Sequence, residues 1–310
     1  MRDLTTRSTR STGSIVPTTD DGIVVVDKPA GWTSHDVVAK VRRLAGTRRV
    51  GHAGTLDPMA TGVLVLGIGR GTRLLGHLAL TQKVYQATAR LGAATSTDDA
   101  DGETTACTPA GHLDLDAVRT SAASLVGAVD QVPSAVSAVK VAGERAYARV
   151  RRGEQVQLAA RPVTVHSLEV RDLRRGADHV DVDLVVECSS GTYVRALARD
   201  LGNALGVGGH LTALRRTAVG PFTLGAARTL SQLAEHGVQP MGLGEAAGVV
   251  YPTAVLGVED ERAVSHGRAL RPGPPGPDGM VALLGSDGRL LALYTRSQGE
   301  AHPLAVFAAA

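Results

Sequence analysis

The run Arg48-Arg49-Val50-Gly51-His52-Ala53-Gly54-Thr55-Leu56-Asp57-Pro58-Met59-Ala60-Thr61-Gly62 leaves this chain few ways to fold around it. Its glycines permit tight backbone paths and the close approach of another molecule. Pro58 pushes Asp57 out of the helical region, so the carboxylate is presented from a loop. The apolar Val63-Leu64-Val65-Leu66 that follows reads as a buried strand. A lone carboxylate therefore stands at the mouth of a strand. Between Val37 and Thr97 there are nine Lys and Arg residues and one acid, Asp57, a local balance of +8. The whole chain carries only +3, so the basicity marks a site rather than a general nucleic-acid coat. One acid in a cationic surface suits a polyanionic substrate with a single group to be worked on. An Asp before Pro also serves simply to cap a turn, and the charge pattern names no reaction.

A chain of 310 residues has room for one large domain and a small one. The only cysteines, Cys107 and Cys188, form no CxxC. That argues against a disulfide framework and a zinc site and fits the reducing cytoplasm. No apolar run approaches a membrane span. Residues 1–19 are rich in Thr, Ser and Arg without an apolar segment, so they read as a disordered tail or a misassigned start rather than a secretory signal. Gly67-Ile68-Gly69-Arg70-Gly71 has GxGxG spacing, not GxGxxG, and is set aside as a dinucleotide site. Thr97-Asp98-Asp99-Ala100-Asp101-Gly102-Glu103 fails as a calcium loop, with Thr at positions one and twelve, and reads as an acidic loop beside the basic cleft.

Periodicity places the remaining elements. Asp21 to Pro29 holds a short strand. Ser34 is a candidate cap for a helix burying Val37, Val38, Val41 and Leu44, stopped at Gly46, with Lys40, Arg42 and Arg43 on its other side. A short helix spans about Thr72 to Leu80. Lys83 to Gly92 alternates as a strand with Tyr85, Ala87, Ala89 and Leu91 on one face. Leu115 to Val126 forms an amphipathic helix closed by Gly127. Val163–Leu173 and Val180–Cys188 pair as an antiparallel ribbon. Thr192 is a candidate cap for a helix with Val194, Leu197, Ala198 and Leu201 inside. Arg195 then falls in a first turn, where the helix dipole disfavours a cation, so a local anion is expected. Beyond Leu230 a helix from Ser231 to His236 and a Gly/Pro-rich join precede short strands or turns at Val264–Arg268, Gly279–Leu284 and Leu290–Tyr294.

The stretch Gly51 to Gly62 resembles the signature loop of the TruB-type tRNA pseudouridine synthases. Asp27 to Ser34, Asp98 to Gly102, Gln131 to Lys140, Cys188 to Gly202 and Gly208 to Phe222 match the same family in order, so the resemblance runs from about Gly22 to Thr223. One departure is Val136, where members often carry Tyr. The resemblance implies an α+β pseudouridine-synthase fold: a central mixed, largely antiparallel sheet flanked by helices, with a small β-rich PUA-like module after it. The implied division is a tail at 1–19, a catalytic domain at 20–234 and an RNA-binding appendage at 235–310.

It also implies a reaction. The C1′–N1 bond of a uridine is cut, the base turns, and C5 is joined to C1′. The target is position 55 in the T-loop of tRNA, recognised through its T-stem-loop. No metal, nucleotide cofactor or membrane is called for, and a cytoplasmic monomer is expected. Asp57 becomes the catalytic carboxylate, Arg195 its partner, and Tyr85 the platform for a flipped uracil. His52, Tyr193 and Leu214 fall to substrate binding. Arg48, Arg49, Lys83, Arg149 and Arg152 are candidate phosphate contacts. The chemical path stays open between attack at C1′ and a glycal route. A non-catalytic RNA-binding protein is the first alternative. A glycosidase is disfavoured because the basic segment holds one carboxylate rather than two, and a serine hydrolase because no GxSxG is present.

Overall fold

In a computed structural model, the described residues are 20–79, 81–135, 140–141, 144–145, 152 and 158–308. The apolar run after the glycine-rich loop becomes the axis of the main sheet. Strand β1 (Gly22–Lys28) leads to helix α1 (Ser34–Ala45), then β2 (Val50–Ala53), β3 (Thr61–Ile68), α2 (Gly71–Leu78) and β4 (Lys83–Leu91). Helix α3 (Leu115–Ala123) precedes β5 (Gly127–Gln131), β6 (Arg161–Arg175) and β7 (Val180–Cys188). Helix α4 (Val194–Ala204), β8 (Gly209–Val219) and α5 (Leu230–His236) follow. The strand order is β1-β3-β8-β4-β7-β6-β5, with β2 hairpinned onto β3. Only β3 and β8 run parallel within that series, so the sheet is mixed and largely antiparallel.

Side-chain alternation decides which face each helix covers. Tyr85, Ala87, Ala89 and Leu91 of β4 share a core with Val182, Leu184 and Val186 of β7 and with Val194, Leu197 and Leu201 of α4. Strand β3 is buried on both faces, which is why it reads as an unbroken apolar run. Leu64 and Leu66 meet Val37, Val41 and Leu44 of α1, while Val63 and Val65 meet Leu74 and Leu78 of α2.

Three local expectations shift. Thr33, not Ser34, caps α1, in a reciprocal box with Asp36. Tyr193, not Thr192, stands at the start of α4, because the Thr192 hydroxyl is turned back to the Ser189 carbonyl. Helix α3 ends at Ala123, and Gly127, at φ 109°, opens β5 instead of closing the helix.

After α5 come helix α6 (Leu243–Gly248), strand β9 (Thr253–Val255) and helix α7 (Val258–Ser265). Strands β10 (Gly279–Leu284), β11 (Leu290–Ser297) and β12 (Glu300–Val306) complete a four-stranded sheet in the order β9-β10-β11-β12. Val264 to Arg268 is therefore the end of a helix and its turn, not a strand. Glu259, Asp260 and Glu261 in the first turn favour that helix. Tyr251, Leu293 and Phe307 pack into the same apolar cluster as Val25 and Leu74. No helix among the described residues is long and apolar enough to cross a membrane.

The Ser34 hydroxyl explains why the first position of α1 is buried. It accepts from the Leu56 N–H at 2.9 Å and donates to the Leu56 carbonyl at 3.2 Å. Ser34→Ala leaves that buried amide unpaired, at a cost of about 1–3 kcal/mol. A melting scan should register the loss, and turnover should fall with it because Leu56 is next to Asp57. An unchanged melting point would mean that the loop is held by other contacts.

Candidate active site

The loop between β2 and β3 is pinned from three sides. Lys28, wholly buried, donates to the carbonyls of Pro29 at 3.0 Å, Trp32 at 2.6 Å and Pro58 at 3.2 Å. Ser34 grips Leu56 as above. From β8, Arg216 donates to the Gly54 carbonyl at 3.0 Å and the Val63 carbonyl at 2.7 Å. Gly62 has φ 100°, and a Cβ there would lie 2.1 Å from the Arg216 carbonyl, so no other residue fits where β3 crosses β8. The loop therefore presents Asp57 from a fixed backbone.

Arg195 meets it from α4. Its Nε lies 3.0 Å from Asp57 Oδ2, while Nη1 donates to Asp99 Oδ2 at 3.0 Å and to the Thr97 carbonyl at 2.8 Å. The Arg195 side chain is 4% exposed and that of Asp99 6%, against 37% for Asp57. One guanidinium thus bridges a buried acid and an open one, and the local anion expected for Arg195 is two carboxylates. Arg199, one turn on, anchors the same acidic loop through Asp98 at 3.1 Å. The start of α4 is held by Gln131, whose side-chain amide accepts from Tyr193 N–H at 2.8 Å and donates to its carbonyl at 3.1 Å.

A cavity of about 260 Å³ opens over this pair, lined by Asp57, Arg195, Tyr85, Tyr193, Leu214, Lys83 and Arg216 together with residues Gly54–Leu56 and Ser189–Thr192. Burial pushes the Asp57 carboxyl above its ordinary range. Arg195 and Lys28 pull it down, and Asp99 adds to the rise. Arg195 thus moderates the burial of Asp57 without reversing it. Burial likewise raises the Tyr85 phenol and lowers Lys28 and Lys83 to about 8 each.

Five residues expected at the site therefore line one cavity: Asp57, Arg195, Tyr85, Tyr193 and Leu214. Lys83 joins them, but it is buried and its ammonium donates to the Ala79 and Thr81 carbonyls, both at 2.6 Å. This is not the setting of a surface phosphate contact. Its place on the inward-facing side of β4, with Tyr85, explains why. His52 does not line the cavity; its ring packs edge-on against His35, 5.5 Å away. Arg48 and Arg49 are exposed on the turn into β2, and Arg152 is also exposed. Arg149 lies outside the described residues. Asp99, Gln131 and Arg216 were given no role by sequence, and Ser34 was expected only as a helix cap. Asp99 sat in plain view in the acidic loop, without a signal that it would turn inward.

Residues 42–194 match the TruB family pseudouridylate synthase N-terminal domain. Residues 195–240 match the tRNA pseudouridylate synthase B C-terminal domain, and 251–308 the tRNA pseudouridine synthase II C-terminal region. The chain is 59% identical to tRNA pseudouridine synthase B of Thermobifida fusca over 294 residues, 93% of this chain and 99% of that protein. It is 57% identical to the protein of the same name from Nocardia farcinica, over 92% of each. The chain belongs to the TruB family. Among solved structures, a Cbf5-Nop10-Gar1 complex superposes with a TM-score of 0.69 at 27% identity, covering 93% of this chain and 84% of that one. An H/ACA RNP bound to a substrate RNA containing 2′-deoxyuridine gives 0.69 at 26%, covering 93% and 85%.

Proposed function

We propose that this enzyme converts uridine 55 in the T-loop of tRNA to pseudouridine, with Asp57 as the catalytic carboxylate. The observation that carries the reading is the Asp57–Arg195 pair at 3.0 Å, set in a cavity beside Tyr85. A uridine stacked in a folded loop shields the atoms that must react, so it has to leave its stack. Tyr85 then supplies the stacking face, worth roughly 1–3 kcal/mol for a base on an aromatic ring. Tyr193 and Leu214 close the cavity around the nucleoside. His52, beside the loop, fills the gap left by the extruded base.

Asp57 either attacks C1′ or takes a proton on a glycal route, and either needs it ionised. Arg195 holds its orientation, and Asp99 and Gln131 hold Arg195 and α4 in turn. Residues 20–234 carry the chemistry, and residues 235–310 hold RNA in a PUA-like manner. Arg48, Arg49, Arg149 and Arg152 meet phosphates. The enzyme acts in the cytoplasm as a monomer without a cofactor.

Two measurements test this. Nucleoside chromatography of treated tRNA, with carbodiimide mapping, should show pseudouridine at position 55 and no free uracil. Release of uracil would mean a glycosidase. Affinity for a T-stem-loop should fall steeply between about 50 and 200 mM salt, since each neutralised phosphate adds close to one unit to the log–log slope. A flat salt response would remove the phosphate contacts.

A further inference from the structure

Lys83 and Arg216 are two cations that the pairing of Asp57 with Arg195 leaves unused. Both are buried, at 5% and 1% exposure, and both line the catalytic cavity. No carboxylate among the described residues lies within ion-pair distance of either. Their arrangement follows from the sheet. Tyr85 stands directly opposite Arg216 on β8, and Lys83 is two residues away on the same face of β4. That spacing is about 6.6 Å along a strand. Asp57, Arg195 and these two cations all line the same cavity as Tyr85, so a base stacked on that ring would have both pairs around it.

Charge accounting shows what such a pair offers. The bound state holds one reactive negative charge, on Asp57. If the carboxylate attacks C1′, an ester forms as the C1′–N1 bond breaks, and the bonding electron pair leaves on the uracil. If Asp57 instead takes the C2′ proton, a glycal forms and the same pair again leaves on the base. By either route the negative charge moves from Asp57 onto N1 and the carbonyl oxygens of a detached uracil. It returns to Asp57 when C5 bonds to C1′ along the ester route, or after proton return along the glycal route, and the proton left on C5 then passes to N1 to complete the product. The charge therefore needs a cation at each end of its path.

We infer that Lys83 and Arg216 form the second of those cationic ends, a preorganised site for the uracil anion released between cleavage of C1′–N1 and formation of C1′–C5. Lys83 is then a catalytic residue rather than a phosphate contact. A buried ammonium on the cavity wall is not where an outer phosphodiester would dock. Lys83 donates to two carbonyls, Ala79 and Thr81, which orients its ammonium. Burial and Arg216 on β8 both lower its affinity for a proton, and Cys188 on β7 opposes them weakly, which leaves it titrating near 8. A negative charge arriving in the cavity is thus met by a lysine that is still protonated at neutral pH.

The inference rests on the synthase reading, so its test starts from wild-type enzyme that forms pseudouridine in a T-stem-loop. If wild type forms none, the functional reading fails before this one is reached. Single-turnover rates and dissociation constants would be measured from pH 6 to 9.5 for wild type, Lys83→Met and Lys83→Arg. We expect Lys83→Met to lower the plateau rate roughly 10²-fold, as for loss of one transition-state donor, with the dissociation constant unchanged. Wild type should slow as pH rises through about 8. Lys83→Arg, which keeps its charge, should lose that alkaline limb and retain most of the rate.

A weaker dissociation constant with the plateau intact would make Lys83 a phosphate contact. An alkaline limb that persists in Lys83→Arg would assign it elsewhere, for instance to Lys28, which also titrates near 8. Either result overturns the inference, as does a wild-type rate in Lys83→Met. Should Lys83→Met fail to fold, the limb in wild type and its loss in Lys83→Arg still decide.

Discussion

Asp57→Asn will form no measurable pseudouridine, yet it will bind a T-stem-loop as wild type does and melt no lower at pH 7. The first expectation comes from chemistry. An amide neither attacks C1′ nor takes a proton there, and no second carboxylate lines the cavity among the described residues. The stability expectation comes from linkage. Folding raises the Asp57 pKa, so the native state binds this proton more tightly than the unfolded chain does. The stabilisation belongs to the protonated form and is lost as pH rises from the unfolded value through the folded one. At neutral pH the ionised acid is thus a net burden, and asparagine removes it.

The same shift sets the acid side of the rate profile. Wild-type turnover should fall with decreasing pH at a value above that of an ordinary aspartate. A variant that melts several degrees lower, or that still isomerises uridine, would show that Asp57 is structural.

Much of this site can be read from the chain, and what cannot has a common cause. The strands announce themselves through alternation, and β3 through its unbroken apolar run. Asp57 stands out because nothing else near it is acidic. Arg195 stands out because a cation in a first helical turn demands an anion, although sequence cannot say that there are two. Asp99, Ser34, Gln131 and Arg216 are different. Each acts through contacts to a segment distant in sequence, and such contacts leave no periodicity. The same holds for Lys83. Its charge suggested an outward role, whereas its register with Tyr85 turned it inward. Around Val264, a run short enough to be strand or turn became a helix because three acids precede it. Pattern fixes which face of an element is buried; it does not tell which polar side chain on that face will find a partner.

Arg195→Met should cost more stability than any other single change at the site, and it should slow the reaction as well. The methionine roughly preserves volume, so the cavity does not simply collapse. What it removes is the one cation held between Asp57 and Asp99. Asp99 is then a buried carboxylate without its charged partner, still accepting from Thr97 and from the Asp101 amide. Removing one member of a buried ion pair costs about 3–5 kcal/mol. The two acids also repel without a guanidinium between them, and the Asp57 pKa rises further. The acid limb of the rate profile should therefore move to higher pH, and the plateau should fall by at least about 10²-fold once the carboxylate is free to turn away. Arg195→Lys separates the two effects, since it restores charge without the planar fork that spans two carboxylates. It should recover part of the melting temperature and little of the rate. If Arg195→Lys instead restores the rate in full, charge alone suffices, and the 3.0 Å geometry between Asp57 and Arg195 is not what organises the reaction.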